Sequence, residues 1–550
     1  MSIGSIMNIA RQSFFAQQTA LQVTAQNIAN ANTEGYSRQR PAFEANAYGD
    51  GVSIQSIERL HDKYLDRQVR DALSAQGSLN QMSTSLARLE AMFDETNGQG
   101  VGTGLHDLFA AFQDLASHPA GTAERGMARS KAESLAALLN DNSRQLAQAQ
   151  HDTDQQVSDV VSSINTLAKQ IAELNKQVIA GQGQPAQMSA NELLDQRDQT
   201  VEKLASLIKI ETYKDPSGGL TVMVAGGRAL VDSTTAGHLE TEQSGVGEPL
   251  QVYHVYPNGV RENITANIDS GELGGILELR DQVIPDIQER MDRFAAALAL
   301  EVNRIHRQGV DQTGAAGGDF FDGLNAYASA KSGNSGGAGV TASSLTDLNA
   351  LTLHAYEVRF TAANAYDVVD VDTGAAVSTG NAYASGSAIT FDGISLTIAD
   401  GAGGAPAAGD VFAVNTFHDA ARNLAVAAPI EASLDAIAAG RGAAPGDNQN
   451  ALDLASLENQ LVAEGGRTTL GQAYTGILTD LGTRVNNAQN AQDRQNQIVD
   501  QTRNLVQNLS GVSIDEESSN LIRFQRTFEA SARVMSVVDE MYQTILNLVQ

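Results

Sequence analysis

The chain contains no cysteine and no tryptophan, and only ten prolines in 550 residues. Without cysteine there is no disulfide, no thiolate nucleophile and no cysteine-ligated metal. That suits either a reducing compartment or an exported protein built without covalent staples. Basic residues are also short, 36 Lys and Arg against 65 Asp and Glu, a formal net charge of −29. Such a balance disfavours nucleic acid and anionic membranes, which call for basic patches. No run of about 18 apolar residues occurs, so no membrane insertion is expected. The N-terminus lacks a basic stretch followed by an apolar core, so no cleaved secretory signal is expected either. Hydrophobic residues still make up 42% of the chain, ample for packed cores, and 550 residues exceed what one core holds.

What is present is heptad periodicity at both ends. Leu521, Phe528, Met535, Tyr542 and Val549 recur every seven residues, as do Phe524, Ser531, Val538 and Ile545, and Val534, Met541 and Leu548. Neither Pro nor Gly interrupts this stretch, so one helix is expected throughout. At the other end Met7, Phe14, Leu21 and Ile28 repeat with the same period, beside a weaker column of Ala10, Gln17 and Thr24. A seven-residue repeat keeps an apolar stripe on one side of a helix, and that stripe needs a partner surface. The assembly interface is therefore expected on Met7, Phe14, Leu21, Ile28, Leu521, Phe524, Phe528, Met535, Val538, Tyr542 and Ile545.

Between the ends the texture alternates. Helix is expected from about residue 5 to 29, 60 to 93 and, with breaks, 105 to 208. Val157, Ile164, Ile171 and Val178, with Val160, Leu167 and Leu174, form the cleanest coiled-coil seam, ended by the Gly181–Pro185 stretch. Strand-like runs follow from Ile210 to Ile268, and then a long helix from Gly275 to His306. Residues 309–420 are rich in Gly, Ala, Ser, Asn and Thr, carry twelve acidic residues against Lys331 and Arg359 alone, and read as a β insert. Helix returns after Leu424. The expected fold class is α+β multidomain: an elongated helical coiled-coil rod made from both termini, with inserted all-β domains. The expected parts are terminal helices at 1–45 and 510–550, ordering on assembly; a helical rod from 46–210, 270–308 and 421–509; a small β region at 211–269; and an outer β-rich insert at 309–420.

No constellation points to catalysis, a cofactor or a metal. The nine His are scattered, with no i, i+4 pair, and no P-loop or Gly-x-Gly-x-x-Gly is present. Gly333–Gly337 fits the Gly-x-Ser-x-Gly elbow by letters, without a strand before it or a helix after it. Asp367, Asp370 and Asp372 miss the twelve-residue calcium loop and read as a solvated turn. Asn263-Ile264-Thr265 is a sequon by letters. Asp195-Gln196-Arg197-Asp198 is a candidate buried polar cluster, although charged residues on a helix are usually solvent-facing or paired locally.

Asn27-Ile28-Ala29-Asn30-Ala31-Asn32-Thr33-Glu34-Gly35-Tyr36-Ser37-Arg38-Gln39 resembles the N-terminal signature of bacterial flagellar rod, hook and hook-associated proteins. Gly511–Glu517, with Asn520, Leu521 and Gln525, is similar to their C-terminal signature, as are Ala530–Val534 and Asp539–Met541. Within that family, Asn191–Asp198, Leu273–Ile276 through Asp281, Asn303 and His306, and Phe391–Ile394 with Gly409–Phe412 resemble the hook-associated branch that joins hook to filament. The resemblance implies a structural, non-enzymatic role at the hook–filament junction, export through the flagellar type III apparatus with an export chaperone, and no cofactor. It implies as partners other copies of the chain, hook protein, and a neighbouring hook-associated protein on the filament side. Another axial protein, or an axial-type protein whose outer insert acts as an adhesin, are the alternatives.

Overall fold

The computed structural model describes residues 2–548 apart from 46–50, 94, 96–97, 99, 182–186, 246–247, 257, 443 and 445. Val549, and most of the expected break before Pro185, lie outside the described residues. In chain order, α1 (Ile3–Ala29) leads to a hairpin of β1 (Gln39–Ala45) and β2 (Val52–Arg59). Four helices follow: α2 (Lys63–Met92), α3 (Val101–Ser117), α4 (Thr122–Gly181) and α5 (Gln187–Leu207). The first β region holds β3 (Ile210–Lys214), β4 (Leu220–Val224), β5 (Arg228–Asp232), β6 (Thr235–Ala236), β7 (His238–Gln243), β8 (Leu250–Val255) and β9 (Arg261–Asn263). Then come α6 (Gly271–Glu278) and α7 (Ile284–His306).

The second β region holds β10 (Phe321–Asp322), β11 (Tyr327–Ala330), β12 (Gly339–Leu345), β13 (Tyr356–Ala362) and β14 (Ala365–Asp370). It continues with β15 (Ala376–Ala382), β16 (Ala388–Phe391), β17 (Ile394–Ala399), β18 (Val411–Asn415) and, after the short α8 (Ala420–Asn423), β19 (Ala425–Val426). The chain ends with α9 (Ala428–Ala432), α10 (Gln449–Ser456), α11 (Leu470–Ser510) and α12 (Ile514–Leu548). This is an α+β multidomain architecture, with antiparallel sheets inserted between long helices.

Two compact units emerge, one from residues 1–84, 153–279 and 487–550, the other from 85–152 and 280–486. They cut across the grouping of 46–210, 270–308 and 421–509 into a single helical part. The reason is helix length: α4 has 60 residues, and at 1.5 Å per residue it runs about 90 Å, beyond any one core.

In the first unit the 157–178 seam is buried, but not against a second helix alone. Val157, Val160, Ile164 and Ile171 pack with Val201, Leu204 and Ile208 of α5 and with Val222, Leu230, Leu239 and Val252 of the strands. Heptad spacing identifies a buried stripe; it does not say whether a helix or a sheet covers it. The strands form a four-stranded sheet in the order β3-β4-β5-β6 and a three-stranded one, β7-β8-β9. Gly77 marks where α2 passes the end of α5: a Cβ there would lie 2.0 Å from the Ser206 carbonyl.

The second unit is built around α7. The expected continuous helix from Gly275 is interrupted by a π-helical turn at Leu279–Val283, after which Pro285 opens α7. Proline has no N–H to give the preceding turn, so the hydrogen-bond ladder reorganises there. Arg280 is fully buried within that turn and forks onto Asp281 at 2.7 and 3.0 Å. The β-rich insert is a five-stranded sheet, β11-β18-β13-β14-β15, and a three-stranded one, β12-β17-β16, sharing a core of Tyr356, Val358, Phe360, Leu396, Ile398 and Phe412.

Asp292 on α7 accepts the Ala421 backbone N–H at 2.9 Å. Burial, reinforced by Asp419 and Glu289, pushes its carboxyl up to about 7. The folded chain thus holds this proton up to about pH 7, whereas the unfolded carboxyl releases it near its ordinary value of 3.8. Stability from this group therefore falls as pH rises between those values and is level above them. Asp292→Asn keeps an oxygen acceptor and removes the buried charge. It is expected to stabilise the second unit at pH 8 by up to about 4 kcal/mol and to leave it nearly unchanged at pH 4. Thermal unfolding at the two pH values checks this; equal shifts at both would refute it.

Candidate functional site

The two ends of the chain meet as an antiparallel helix pair. The hydroxyls of Ser13 and Ser531 are 2.9 Å apart, the rings of Phe14 and Phe528 lie 4.3 Å apart at their centroids, and Asn27 reaches Glu517. Chain sense fixes these partners: residues rise along α1 as they fall along α12. The buried line on α12 is Glu517, Phe524, Ser531 and Val538, spaced by seven. On α1 the deepest positions are Ala10, Ala16, Ala20, Val23, Thr24 and Asn27. Met7, Phe14, Leu21 and Ile28 are only half-buried, as are Leu521, Phe528 and Met535, while Tyr542 and Ile545 are exposed. α1 packs on both α12 and the β1–β2 hairpin, and its small residues lie deepest in that combined contact.

Where α1 leaves and α12 begins, a polar knot ties the ends to the first unit. Gly511 separates α11 from α12; a Cβ there would lie 2.3 Å from the Gln507 carbonyl. Asp515, Glu516 and Glu517 then occupy the first turn of α12, where carboxylates complement the helix dipole. Glu517, 2% exposed, receives Arg38 Nε at 2.8 Å and Nη2 at 2.7 Å. Asn27, 1% exposed, donates to the Gln39 carbonyl (2.8 Å) and to Glu517 (3.2 Å). Its oxygen accepts the Gln39 N–H (3.0 Å) and the Tyr36 hydroxyl (2.8 Å). Both amide groups of Asn27 are therefore used, as a buried amide requires.

The knot extends into α5. Asn191 donates to the Gln39 side chain and to the Ile57 carbonyl, both at 3.0 Å. Asp195 accepts the Ser37 N–H at 3.3 Å and faces Arg59, which also holds Asp198, each at 2.7 Å. Burial pushes the Asp195 carboxyl up, and burial with Asp195 and Glu517 nearby pushes the Tyr36 phenol well above its usual range. Arg197 turns the other way, onto Asn175 and the Gly218 carbonyl, both at 3.1 Å. Of the two readings of Asp195–Asp198, the buried polar cluster holds for Asp195 and Arg197, both buried, rather than the commoner solvent-facing one. Spacing on one helix could not reveal this, since the partners come from the hairpin and the β3–β4 turn.

Beyond the knot α12 stays apolar on both sides of its buried line. Val534, Val537 and Met541 lie to one side, and Tyr542 and Leu546 to the other by helical spacing. All five are exposed, Val537 by 54% and Leu546 by 64%. On α1, Phe15 is 57% exposed.

The remaining motifs are accounted for locally. Ser335 of the elbow-like stretch gives its backbone N–H to Asp410, which also takes those of Gly336 and Ala407, so the stretch is a loop cradled by a carboxylate. Asp370 caps the β14–β15 turn through the backbones of Asp372 and Thr373 and faces His354 at 2.7 Å. Asp372 is held by Arg293 at 2.6 and 3.0 Å, and Asp367 accepts the Gly380 N–H. Asn263 caps a short 3-10 turn through Thr265. Among the described residues no cluster of three or more His, Asp or Glu could hold a metal ion, and no helix is long and apolar enough to cross a membrane.

Comparison with known proteins gives these features a context. Residues 86–321 match the flagellar hook-associated protein FlgK helical domain. Residues 506–548 match the C-terminal model of flagellar basal body rod FlgEFG proteins, and 7–36 that of the flagella basal body rod protein. The chain is 29% identical to flagellar hook-associated protein 1 of Escherichia coli K12 over 99% of its own length and 100% of the relative's. It is 26% identical to the protein of the same name from Bacillus subtilis 168, over 98% and 97%. The solved structure of the flagellar hook junction protein FlgK from Burkholderia pseudomallei shares the fold, with a TM-score of 0.69 and 22% identity, over 81% of this chain and all of that one.

Proposed function

The chain belongs to the flagellar hook-associated protein 1 family, and on that premise we propose that it is a structural subunit of the flagellum, joining hook to filament by assembling with copies of itself. The observation that carries this reading is the pair of apolar flanks on α12. A two-fold dimer buries one patch against its own copy. Two different flanks on one helix suit head-to-tail contacts, which propagate into rings or helical walls. Each large apolar side chain so covered is worth roughly 1.5–3 kcal/mol.

The assembly surface then includes Phe15, Val534, Val537, Met541, Tyr542 and Leu546, flanking the line that α1 covers, and Ile545, which continues that line where it becomes exposed. Sequence periodicity led to an expectation that both terminal helices order only on assembly. We assign that behaviour to the end of α12 beyond Val538, where apolar side chains are exposed and ordering is left to neighbouring copies. Hook protein on one side, a further hook-associated protein on the other, and an export chaperone complete the proposed partners.

The test is electron microscopy of a strain lacking this chain. Hooks without filaments, with filament subunits shed to the medium, are expected, and the full-length chain should restore filaments. A variant carrying Val537→Asp and Leu546→Asp is expected to be exported and folded in its second unit yet to leave the hooks bare. Filaments of normal number on that variant would refute the assigned surface.

A further inference from the structure

An apolar seam with a strict seven-residue period has a weakness. Sliding α12 by seven residues, about 10.5 Å, again sets large apolar side chains against large apolar side chains, because Phe524, Ser531 and Val538 share one column and Leu521, Phe528, Met535 and Tyr542 another. Packing alone discriminates weakly between such registers, which is why a single buried polar residue so often sets the register of a coiled coil. The connections would permit the slide. Eight residues, Asn30 to Ser37, join α1 to Arg38, and extended chain spans about 3.3 Å per residue. Gly511, Val512 and Ser513 join α11 to α12.

We propose that Asn27, Arg38 and Glu517, rather than the apolar columns, set the register of the terminal helix pair. Each is placed for it. Glu517 sits in the same heptad column as Phe524, Ser531 and Val538, and it is the only carboxylate in that column. A seven-residue slip would set Phe524 or Ser510 before the Arg38 guanidinium and the Asn27 amide, leaving a buried amide and a largely buried cation without their partner. Such groups are costly unless paired. Arg38 is itself fixed at both ends, its N–H donating to the Ser510 carbonyl and its carbonyl accepting the Leu60 N–H, so it cannot follow a sliding helix. The Ser13–Ser531 contact lies farther out and is too weak to act alone. These are positioning residues, and the inference concerns the pair within one chain; it stands whether or not the flanks meet a second copy.

The absence of native cysteine makes register directly readable. Three full-length double variants are needed: Ser13→Cys with Ser531→Cys for the native register, and Ser13→Cys with either Val538→Cys or Phe524→Cys for slips of one heptad. Under mild oxidation with the knot intact, only the first should cross-link. Adding Arg38→Met and Glu517→Leu, which replaces the ionic tie by apolar side chains and leaves the Asn27 bonds to Gln39 and Tyr36, should raise an out-of-register link by about tenfold. Glu517→Gln, a milder removal of the tie, should shift the links in the same direction. Arg38→Lys with Glu517→Asp, which keeps both charges, should retain the single native link. Exclusive native cross-linking in the knot-free variants, out-of-register links with the knot intact, or failure of the 13–531 link with the knot intact would each overturn the proposal.

Discussion

Phe528→Asp is expected to abolish incorporation at the hook tip while leaving the second unit folded. Phe528 stacks on Phe14 at 4.3 Å, midway along the terminal pair. An aspartate there forfeits the ring contact and sets a carboxylate into an apolar seam. Loss of the half-buried ring costs about 1.5–3 kcal/mol, and an unpaired charge set into the seam adds to it. An isolated helix of this length is marginal in water, so the outer halves of α1 and α12 should lose their structure together. Two measurements separate this from general unfolding. Amide exchange should rise across residues 10–20 and 525–538 and stay slow in α7, and thermal unfolding of the second unit should be unshifted. Filaments growing normally on cells carrying the variant would show that the pair is not needed for joining.

Asn303→Ala is expected to be the most destabilising single change in the second unit. The side chain is 2% exposed and serves three backbone groups: it donates to the Phe321 carbonyl at 2.8 Å and accepts the N–H groups of Phe320 (2.8 Å) and Phe321 (2.9 Å). Truncation orphans all three in a dry site where Phe320, Phe321, Phe112 and His306 pack edge to face. Each orphan costs about 1–3 kcal/mol, so a loss of about 3–9 kcal/mol and a fall in Tm of about 10 °C or more are expected by calorimetry. His306, one turn on, spans the same joint: its Nδ1 donates to the Gly318 carbonyl and its Nε2 accepts the Ala438 N–H, both at 2.8 Å. Burial holds this imidazole below its usual pKa, as the neutral tautomer requires. A shift of under about 2 °C for Asn303→Ala would mean that water replaces the side chain.

Much of this was legible in the sequence, and all but one of the failures share one cause. Heptad columns located α1, α12 and the buried stripe of α4 because periodicity is a property of one helix. They did not tell that Val157–Ile171 faces strands as well as α5, that Met7 and Phe14 are only half-buried, or which distant groups Asp195 and Arg197 pair with. Those facts depend on partners far away in sequence. The knot is the extreme case: Asn27 and Glu517 are 490 residues apart, and nothing in either neighbourhood marks the other as its partner. The signature residues were recognisable as letters; their shared task became visible only once the chain was folded. The π-helical turn before Pro285 was missed for a different reason. Apolar spacing runs smoothly through it, and the proline alone carried the warning.

The knot has a bearing on how the molecule is made. Translation supplies Asn27 and Arg38 early and Glu517 490 residues after Asn27, so α1 can settle on the β1–β2 hairpin at once but waits for α12 until the intervening chain has been made. A nascent chain interrupted before Glu517 cannot close the knot. The tie between the ends thereby reports that everything between Asn27 and Glu517 has been synthesised.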